Sequence, residues 1–451
     1  MATMGIDGLV SGLQTTDLIN QLMQVESAPQ ALLKSKQTAT TNLVTALQSL
    51  NTKVASLKDA ATKAATPASW SVTKASASAT SVTATTSAGS TPTELTFRVD
   101  ALASSQVSLA STSALPAAGS TLTFKAPDGT LTEVVVGADA AATARAISSS
   151  AAGVNAVAVT AGGQTRLQLT ATESGAENAF TLYAGTKAQV EAGTASTVPL
   201  TETRAAKDAE ITLWAGVTGA EQKVTSSSNT FSDVLEGTAI TISKVEADPV
   251  TLTVARDTAA VTSVASGLVG ALNVVFSEVA SRTSTTTTTA ADGRTVISGG
   301  LFAGDSAVRG LQQQLQTAAS YPVDGTSPAE VGISLGKDGT FTFDDAKFKA
   351  ALAADPDKVQ KVVSGLAQRV ADVAKSASDS VDGTLTLKIT GQQDAVKQLG
   401  TQIEAWDRRL ELRRESLQKT YSALEVTLSN MQSQSSWLAG QLSSLSASSS
   451  S

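Results

Sequence analysis

An apolar stripe at helical spacing near the C-terminal end restricts the fold of this chain more tightly than any other feature. Its members are Val396, Leu399, Ile403, Trp406, Leu410, Leu417, Tyr421, Leu424, Leu428, Met431, Leu438 and Leu442. From Leu417 onward the steps alternate between four and three residues, interrupted only by Ser435. That alternation is the seam of a coiled coil. It predicts one helix over 391–446, approaching ~80 Å at 1.5 Å per residue. No single domain of ordinary size buries such a length, so the helix needs an N-terminal helix, further copies of the chain, or another protein. At Arg413-Arg414 a four-four step replaces four-three, which loosens a supercoil locally. Beyond it, Ser443–Ser451 is almost all Ser and is expected to be disordered.

The N-terminal end carries a matching pattern. Leu18, Ile19, Leu22, Met23 and Val25 form one stripe, with Thr16 or Asp17 as candidate cap. Pro29 starts or kinks the next helix. Leu43, Leu47, Leu50, Val54 and Leu57 then follow a four-three heptad spacing, extended by Ala61 and Ala64 and stopped by Pro67. Thr, Ser, Gln and Lys on the other faces favour coiled-coil-like packing over a helix buried all round. Before these helices, residues 1–15 are Gly-rich and expected to be mobile in the free chain. Ile6, Leu9, Val10 and Leu13 mark them as a segment that docks on something.

Between 70 and 257 the period changes to two. Short alternating runs such as Glu94–Ala101 and Val154–Thr160 are separated by turns such as Pro127-Asp128-Gly129 and Gly162-Gly163. Two modules of hairpin, short helix and hairpin are expected, with the helices at Asp139–Ser150 and Thr230–Leu235. Helix returns over 257–282 and 306–317, with a hairpin at 331–343. Asp345 and Asp355 read as caps, the latter ahead of Pro356 at a first helical position. Thr283–Gly293, with five consecutive Thr, reads as a solvated linker.

Composition bears on chemistry. The chain has no His and no Cys. Triad and Cys-His nucleophiles, imidazole acid–base catalysis, disulfides and the usual zinc and haem sites are excluded. A net charge of −7 offers no basic footprint for nucleic acid. No run of ~18 apolar residues is present, so no bilayer span is expected. The first 16 residues lack a basic stretch followed by an apolar core, so a cleaved secretory signal is not expected either. Gly332–Lys337 has the wrong glycine spacing for a phosphate loop, and Asp338 stands where Ser or Thr would be needed. Ser71/Lys74 fall on opposite faces of a strand, and Ser416/Lys419 lie on a helix face with no pocket implied. Asp338, Asp344 and Asp345 lack calcium-loop spacing. No cofactor and no enzymatic activity are expected.

Several motifs, in order, carry a resemblance. Gly5-Ile6-Asp7-Gly8-Leu9-Val10-Ser11-Gly12-Leu13, followed by Asp17-Leu18-Ile19 and Leu22-Met23, resembles the opening of the flagellar filament cap proteins, the hook-associated protein 2 family. That family usually carries Asp where this chain has Gln14. Asp208–Leu213, Ser228–Phe231, Glu236–Thr238 and Pro249–Asp257 resemble its strand-rich stretch. Leu301–Gly310, Val331–Asp344 and Leu424–Leu442 resemble its C-terminal segment.

The resemblance implies an α+β multidomain fold, with terminal helices forming a coiled-coil-like leg and central β-rich head domains. Residues 1–40 would be an export and assembly segment, and 41–69 with 258–420 the leg. Residues 70–112 with 201–257 would form a head domain, 113–200 an inserted outer head, and 421–451 the C-terminal assembly helix. The implied function is a ring at the distal filament tip that retains exported flagellin and promotes its folding and insertion. Implied partners are further copies, flagellin, the hook–filament junction protein, the flagellar export apparatus and a chaperone. Neither nucleic acid nor membrane insertion is implied. The implied location is extracellular, reached without signal cleavage.

Three groups of residues are expected to act. The N-terminal assembly interface is Ile6, Leu9, Leu13, Leu18, Ile19, Leu22 and Met23. The coiled-coil seam is Leu43, Leu47, Leu50, Val54, Leu57, Ile403, Trp406, Leu410, Leu417 and Tyr421. The C-terminal interface is Leu424, Leu428, Met431, Trp437, Leu438 and Leu442. Another flagellar axial protein, or a surface adhesin acting through the head, would share much of this pattern.

Overall fold

The computed structural model describes residues 14–448. Expectations for 1–13, including docking by Ile6, Leu9 and Leu13, and for 449–451 lie outside the described residues. The helices are α1 (Thr15–Glu26), α2 (Ala28–Ala65), α3 (Ala140–Ser148), α4 (Lys187–Glu191), α5 (Thr258–Thr283), α6 (Ser306–Ser320), α7 (Asp345–Ala354), α8 (Pro356–Ser378) and α9 (Thr384–Ser448). The chain divides into two compact units, Met1–Pro67 with Thr262–Ser451, and Ala68–Val261. The α+β class, with long terminal helices flanking a strand-rich middle, is therefore observed.

The helical unit is held by the α2 heptad. Leu47, Leu50, Val54, Leu57, Ala61 and Ala64 are fully buried, while Leu43 at the open end is half-buried. α2 packs on α8 and α9. α8 answers with Val359, Val363, Leu366, Val370 and Ala374. A heptad seam serves here as the core of an intrachain bundle, with α6 and α7 against α8. α5 is tied in by Lys53 Nζ to Glu278 Oε2 at 2.8 Å and by Asn273, whose amide exchanges two hydrogen bonds with the backbone of Phe341.

α5 reaches a mean hydropathy of 1.8 and is long enough to cross a bilayer. By composition, then, one segment does resemble a span, contrary to expectation. Its Leu268, Leu272, Val275, Phe276 and Val279 are buried in the protein, so the apolarity is that of a core helix.

Caps explain several boundaries. Asp355 accepts from the Lys358 amide at the head of α8, with Pro356 in the first turn. For α7 the cap is Asp344, bonded to the Lys347 amide, and not Asp345, which sits in the first turn. α1 begins at Thr15, earlier than either expected cap. Thr16 and Asp17 lie inside the helix, and Gln14 makes no side-chain cap bond. The Thr-rich stretch is not a plain linker: Thr286–Thr289 pairs antiparallel with Thr295–Ser298. β-Branched side chains favour extended backbone even where all eight residues face solvent. At the C-terminal end α9 continues through Ser448, past the point where the Ser-rich tail was expected to end it. Ser is only mildly unfavourable in a helix, and Leu445 and Ala447 punctuate the run.

The strand-rich unit has two cores. A five-stranded antiparallel sheet runs, in spatial order, Thr73–Ala77, Glu246–Arg256, Thr93–Ala101, Ala209–Leu213 and Gln222–Ser226. With the sheet Thr230–Leu235, Thr238–Ile242, Val82–Thr86 it encloses Phe97, Val99, Ile211, Ile240 and Leu252. The second core, around Leu122, Phe124, Ile147, Leu167 and Leu182, lies among two four-stranded sheets and α3. The expected helix is α3, and Asp139 lies just outside it as its cap, accepting from the Ala142 amide. Thr230–Leu235, expected as a helix, is a strand, so the two modules are not repeats. Leu235 pairs with Thr238 across the two-residue turn Glu236-Gly237, and Gly237 takes the left-handed φ of 67° that such a turn requires. A side chain there would also meet the Ser90 amide at 2.6 Å.

Candidate assembly interface

α1 and the start of α2 run antiparallel to α9. Gln37 Nε2 donates to the Val396 carbonyl at 3.4 Å, and Gln30 donates to Asp407. Arg413 pairs with Glu26 at 2.8 Å, and Arg414 Nη2 donates to Asn20 at 3.2 Å. The slip in the apolar stripe at Arg413-Arg414 is therefore filled by two polar contacts to α1. Ile19 and Met23 are buried on this side. On α9, Ile403 is buried, while Trp406, Leu410, Leu417 and Tyr421 are half-buried. Arg409 stacks over Trp406, 4.4 Å from the ring centroid.

The start of α9 is anchored in the bundle. Leu385 and Ile389 are buried, and Lys388 forms an ion pair with Asp305, whose side chain is only 9% exposed. Asp305 also caps α6 through the Ala307 and Val308 amides. Burial alone would raise the Asp305 carboxyl. The Lys388 hydrogen bond and the two amides outweigh it and hold the group below its ordinary value. Glu278 is likewise lowered, by the Lys53 hydrogen bond first, against a smaller opposing effect of burial. Both groups titrate lower when folded than unfolded. Their contribution is therefore present above the unfolded pKa, about 4, and is lost as pH falls through the folded value. We expect the helical unit to lose stability progressively below about pH 4. Lys388→Met should lower it by about 1–3 kcal/mol at neutral pH by leaving a buried carboxylate without its cation. Urea titrations followed by circular dichroism at pH 7 and pH 3.5 measure both effects.

Beyond these contacts the apolar positions are uncovered. Leu18, Leu22 and Val25 repeat at four-three on the face of α1 turned away from Ile19 and Met23, and all three are exposed. On α9, Leu424, Met431, Trp437 (65%), Leu438 (54%) and Leu442 (67%) are exposed, and Leu428 is half-buried. After Glu425 the sequence contains no charged residue. Repeated apolar exposure of this kind makes the stretch a candidate contact surface.

The expected seam thus separates by burial. Leu47, Leu50, Val54 and Leu57 are buried within the helical unit, Ile19 and Met23 are buried on α1, and Leu18, Leu22, Trp437, Leu438 and Leu442 are exposed. Val25, Leu32 and Val426 join the exposed set although the expected interface omitted them. Val426 falls off the four-three spacing and Leu32 lies across the Ser27 break, so a periodic template passes over both. Among the described residues no cluster of three or more acidic side chains is arranged to hold a metal.

Residues 206–433 match the family model of the flagellar hook-associated protein 2 C-terminus, and residues 11–106 that of its N-terminus. The chain is 29% identical over 228 residues to A-type flagellar hook-associated protein 2 of Pseudomonas aeruginosa, covering 49% of this chain and 47% of that protein. It is 27% identical over 202 residues to lateral flagellar hook-associated protein 2 of Vibrio parahaemolyticus, covering 44% and 43%. The chain thus matches these curated relatives over about half their length. The D1-D2-D3 domains of the flagellar cap protein from Escherichia coli share the fold, with a TM-score of 0.61 at 24% identity over 77% of this chain and 99% of that one. The order of helices and strands, the exposed terminal seams and the two family matches together establish that this chain belongs to the flagellar hook-associated protein 2 family.

Proposed function

We propose that the chain is a structural subunit of the cap at the distal tip of the flagellar filament, working outside the cell. Copies associate into a ring that retains exported flagellin and promotes its folding and insertion. The observation that carries this reading is the uncovered, charge-free apolar stripe of α9, together with the second stripe on α1. A protein that worked as a monomer would have no use for either. Family membership supplies the filament tip as the setting.

On this reading the expected interface residues act by burial. Leu18 and Leu22, with Trp437, Leu438 and Leu442, pack against neighbouring copies or filament subunits. The five-part division of the chain given above, with 113–200 as an outer head, forms part of the same proposal. Export without signal cleavage, a chaperone for the exposed helices and contact with the hook–filament junction protein complete it.

Electron microscopy of the purified protein at rising concentration tests the proposal. Closed rings or pairs of rings are the expected outcome. Long filaments would favour a flagellin-like axial subunit instead, and particles that stay monomeric at every concentration would count against assembly altogether.

A further inference from the structure

The edge of a sheet presents unpaired N–H and C=O groups, to which another strand adds unless something blocks it. Among the described residues, the edges of the strand-rich unit are blocked. Thr73–Ala77, Leu131–Val135, Leu200–Arg204, Gln222–Ser226 and Thr230–Leu235 carry the exposed charges Lys74, Glu133, Glu202, Lys223 and Asp233. Val82–Thr86 lies against Thr73–Ala77, and Ser196–Thr197 is two residues long. On Val154–Ala161 the Ser148 hydroxyl takes up both the N–H and the C=O of Ala156, at 2.9 and 3.2 Å. In the helical unit, Asn273 does the same for Phe341 in the hairpin of Ile333–Leu335 and Phe341–Phe343.

The hairpin of Thr286–Thr289 and Thr295–Ser298 has no such guard. Its strands contain no charge, no Pro and no register shift. Its two charges, Asp292 and Arg294, pair with each other at the tip at 2.7 Å. Its base is fixed, because the Phe302 amide donates to the Arg282 carbonyl at 2.9 Å and Phe302 is buried. All eight strand residues are exposed, Val296 and Ile297 included. A two-stranded hairpin that buries no apolar face is marginal in water. The Ala290 amide donates to the Arg294 carbonyl across the turn. Alternation then turns the N–H and C=O groups of Thr287, Thr289, Thr295 and Ile297 outward. We propose that Thr286–Thr289 of one copy adds, antiparallel, to Thr295–Ser298 of the next copy. The two unguarded edges lie on opposite sides of one hairpin, and neither carries a charge, so their pairing opposes no like charges. In a head-to-tail ring each copy gives one edge and receives one. Hairpins repeated in the same sense alternate in strand direction and close into an antiparallel band with no edge left. The inference rests on the ring reading above and adds a contact that the apolar stripes of α1 and α9 do not supply.

The absence of Cys makes a direct test available. Full-length Thr287→Cys or Thr289→Cys chain is mixed with Thr295→Cys or Ile297→Cys chain, in each combination. The mixtures are oxidised at concentrations where electron microscopy is used to look for rings. A disulfide needs Cβ atoms about 4 Å apart. Equivalent strands of successive copies would stand two strand spacings apart, about 9–10 Å, and cannot be joined. The expected result is a disulfide-linked dimer in at least one mixture, in about tenfold or greater excess over either variant alone, as the higher effective concentration requires. Dimers that form equally well from a single variant would show an edge meeting itself and would overturn the inference. Rings without any linked dimer would overturn it too, and leave the cap reading standing. Absence of rings would remove both.

Hydrogen exchange gives a second measurement. The Thr287, Thr289, Thr295 and Ile297 amides should exchange about tenfold or more slowly in rings than in dilute single chains, because strand addition closes them from water. Exchange of the buried α2 positions Leu50, Val54 and Leu57 should be unchanged. Unaltered exchange in the hairpin, or protection that appears only when flagellin is added, would overturn the inference.

Discussion

Leu438→Asp combined with Leu442→Asp is expected to abolish assembly while the subunit stays folded. Both side chains are already in water in the single chain, so the substitutions remove no contact on which the fold depends. In an assembled particle each buried leucine would contribute about 1.5–3 kcal/mol, and placing a carboxylate in the same site costs more. The pair should weaken association by about 3–6 kcal/mol, or ~10²–10⁴-fold. Sedimentation velocity should show loss of the high-mass species, with an unchanged circular dichroism spectrum and melting profile. Retained assembly would remove the C-terminal stripe from the interface.

The complementary substitution should act on the fold instead. Leu50 is fully buried on α2, the helix that packs on α8 and α9. Leu50→Asp would place an unpaired carboxylate in that core and should lower the stability of the helical unit by about 4–5 kcal/mol or more, enough to unfold a typical domain. The strand-rich unit has its own two cores, so its thermal transition should survive. Calorimetry of the variant should therefore retain one transition and lose the other. Loss of both would mean that the two units fold as one cooperative body.

These two substitutions also show what sequence could and could not reveal. Leu50 and Leu438 occupy equivalent places in four-three patterns, and spacing alone assigns both to a seam. Their opposite exposure depends on α8 and α9, which come from distant parts of the chain, and no local pattern contains that information. The α2 heptad, the long α9 and the Asp355 cap are legible because each rests on short-range rules. Thr230–Leu235 is a strand where a helix is expected, because six residues are too few to separate the two periods. Only its pairing with Thr238–Ile242 decides it. The Thr run looked like a linker because polarity hid its β propensity. The slip at Arg413-Arg414 was visible, but its cause, Glu26 and Asn20 nearly four hundred residues away, was not.

The central claim concerns the filament tip, and one measurement addresses it most directly. In cells whose gene for this protein has been deleted, filaments are counted by electron microscopy and flagellin in the culture supernatant is quantified. The account predicts few or no filaments and abundant unpolymerised flagellin, both reversed by the wild-type chain but not by the Leu438→Asp/Leu442→Asp variant. Normal filaments in the deletion strain, with no increase in free flagellin, would contradict it.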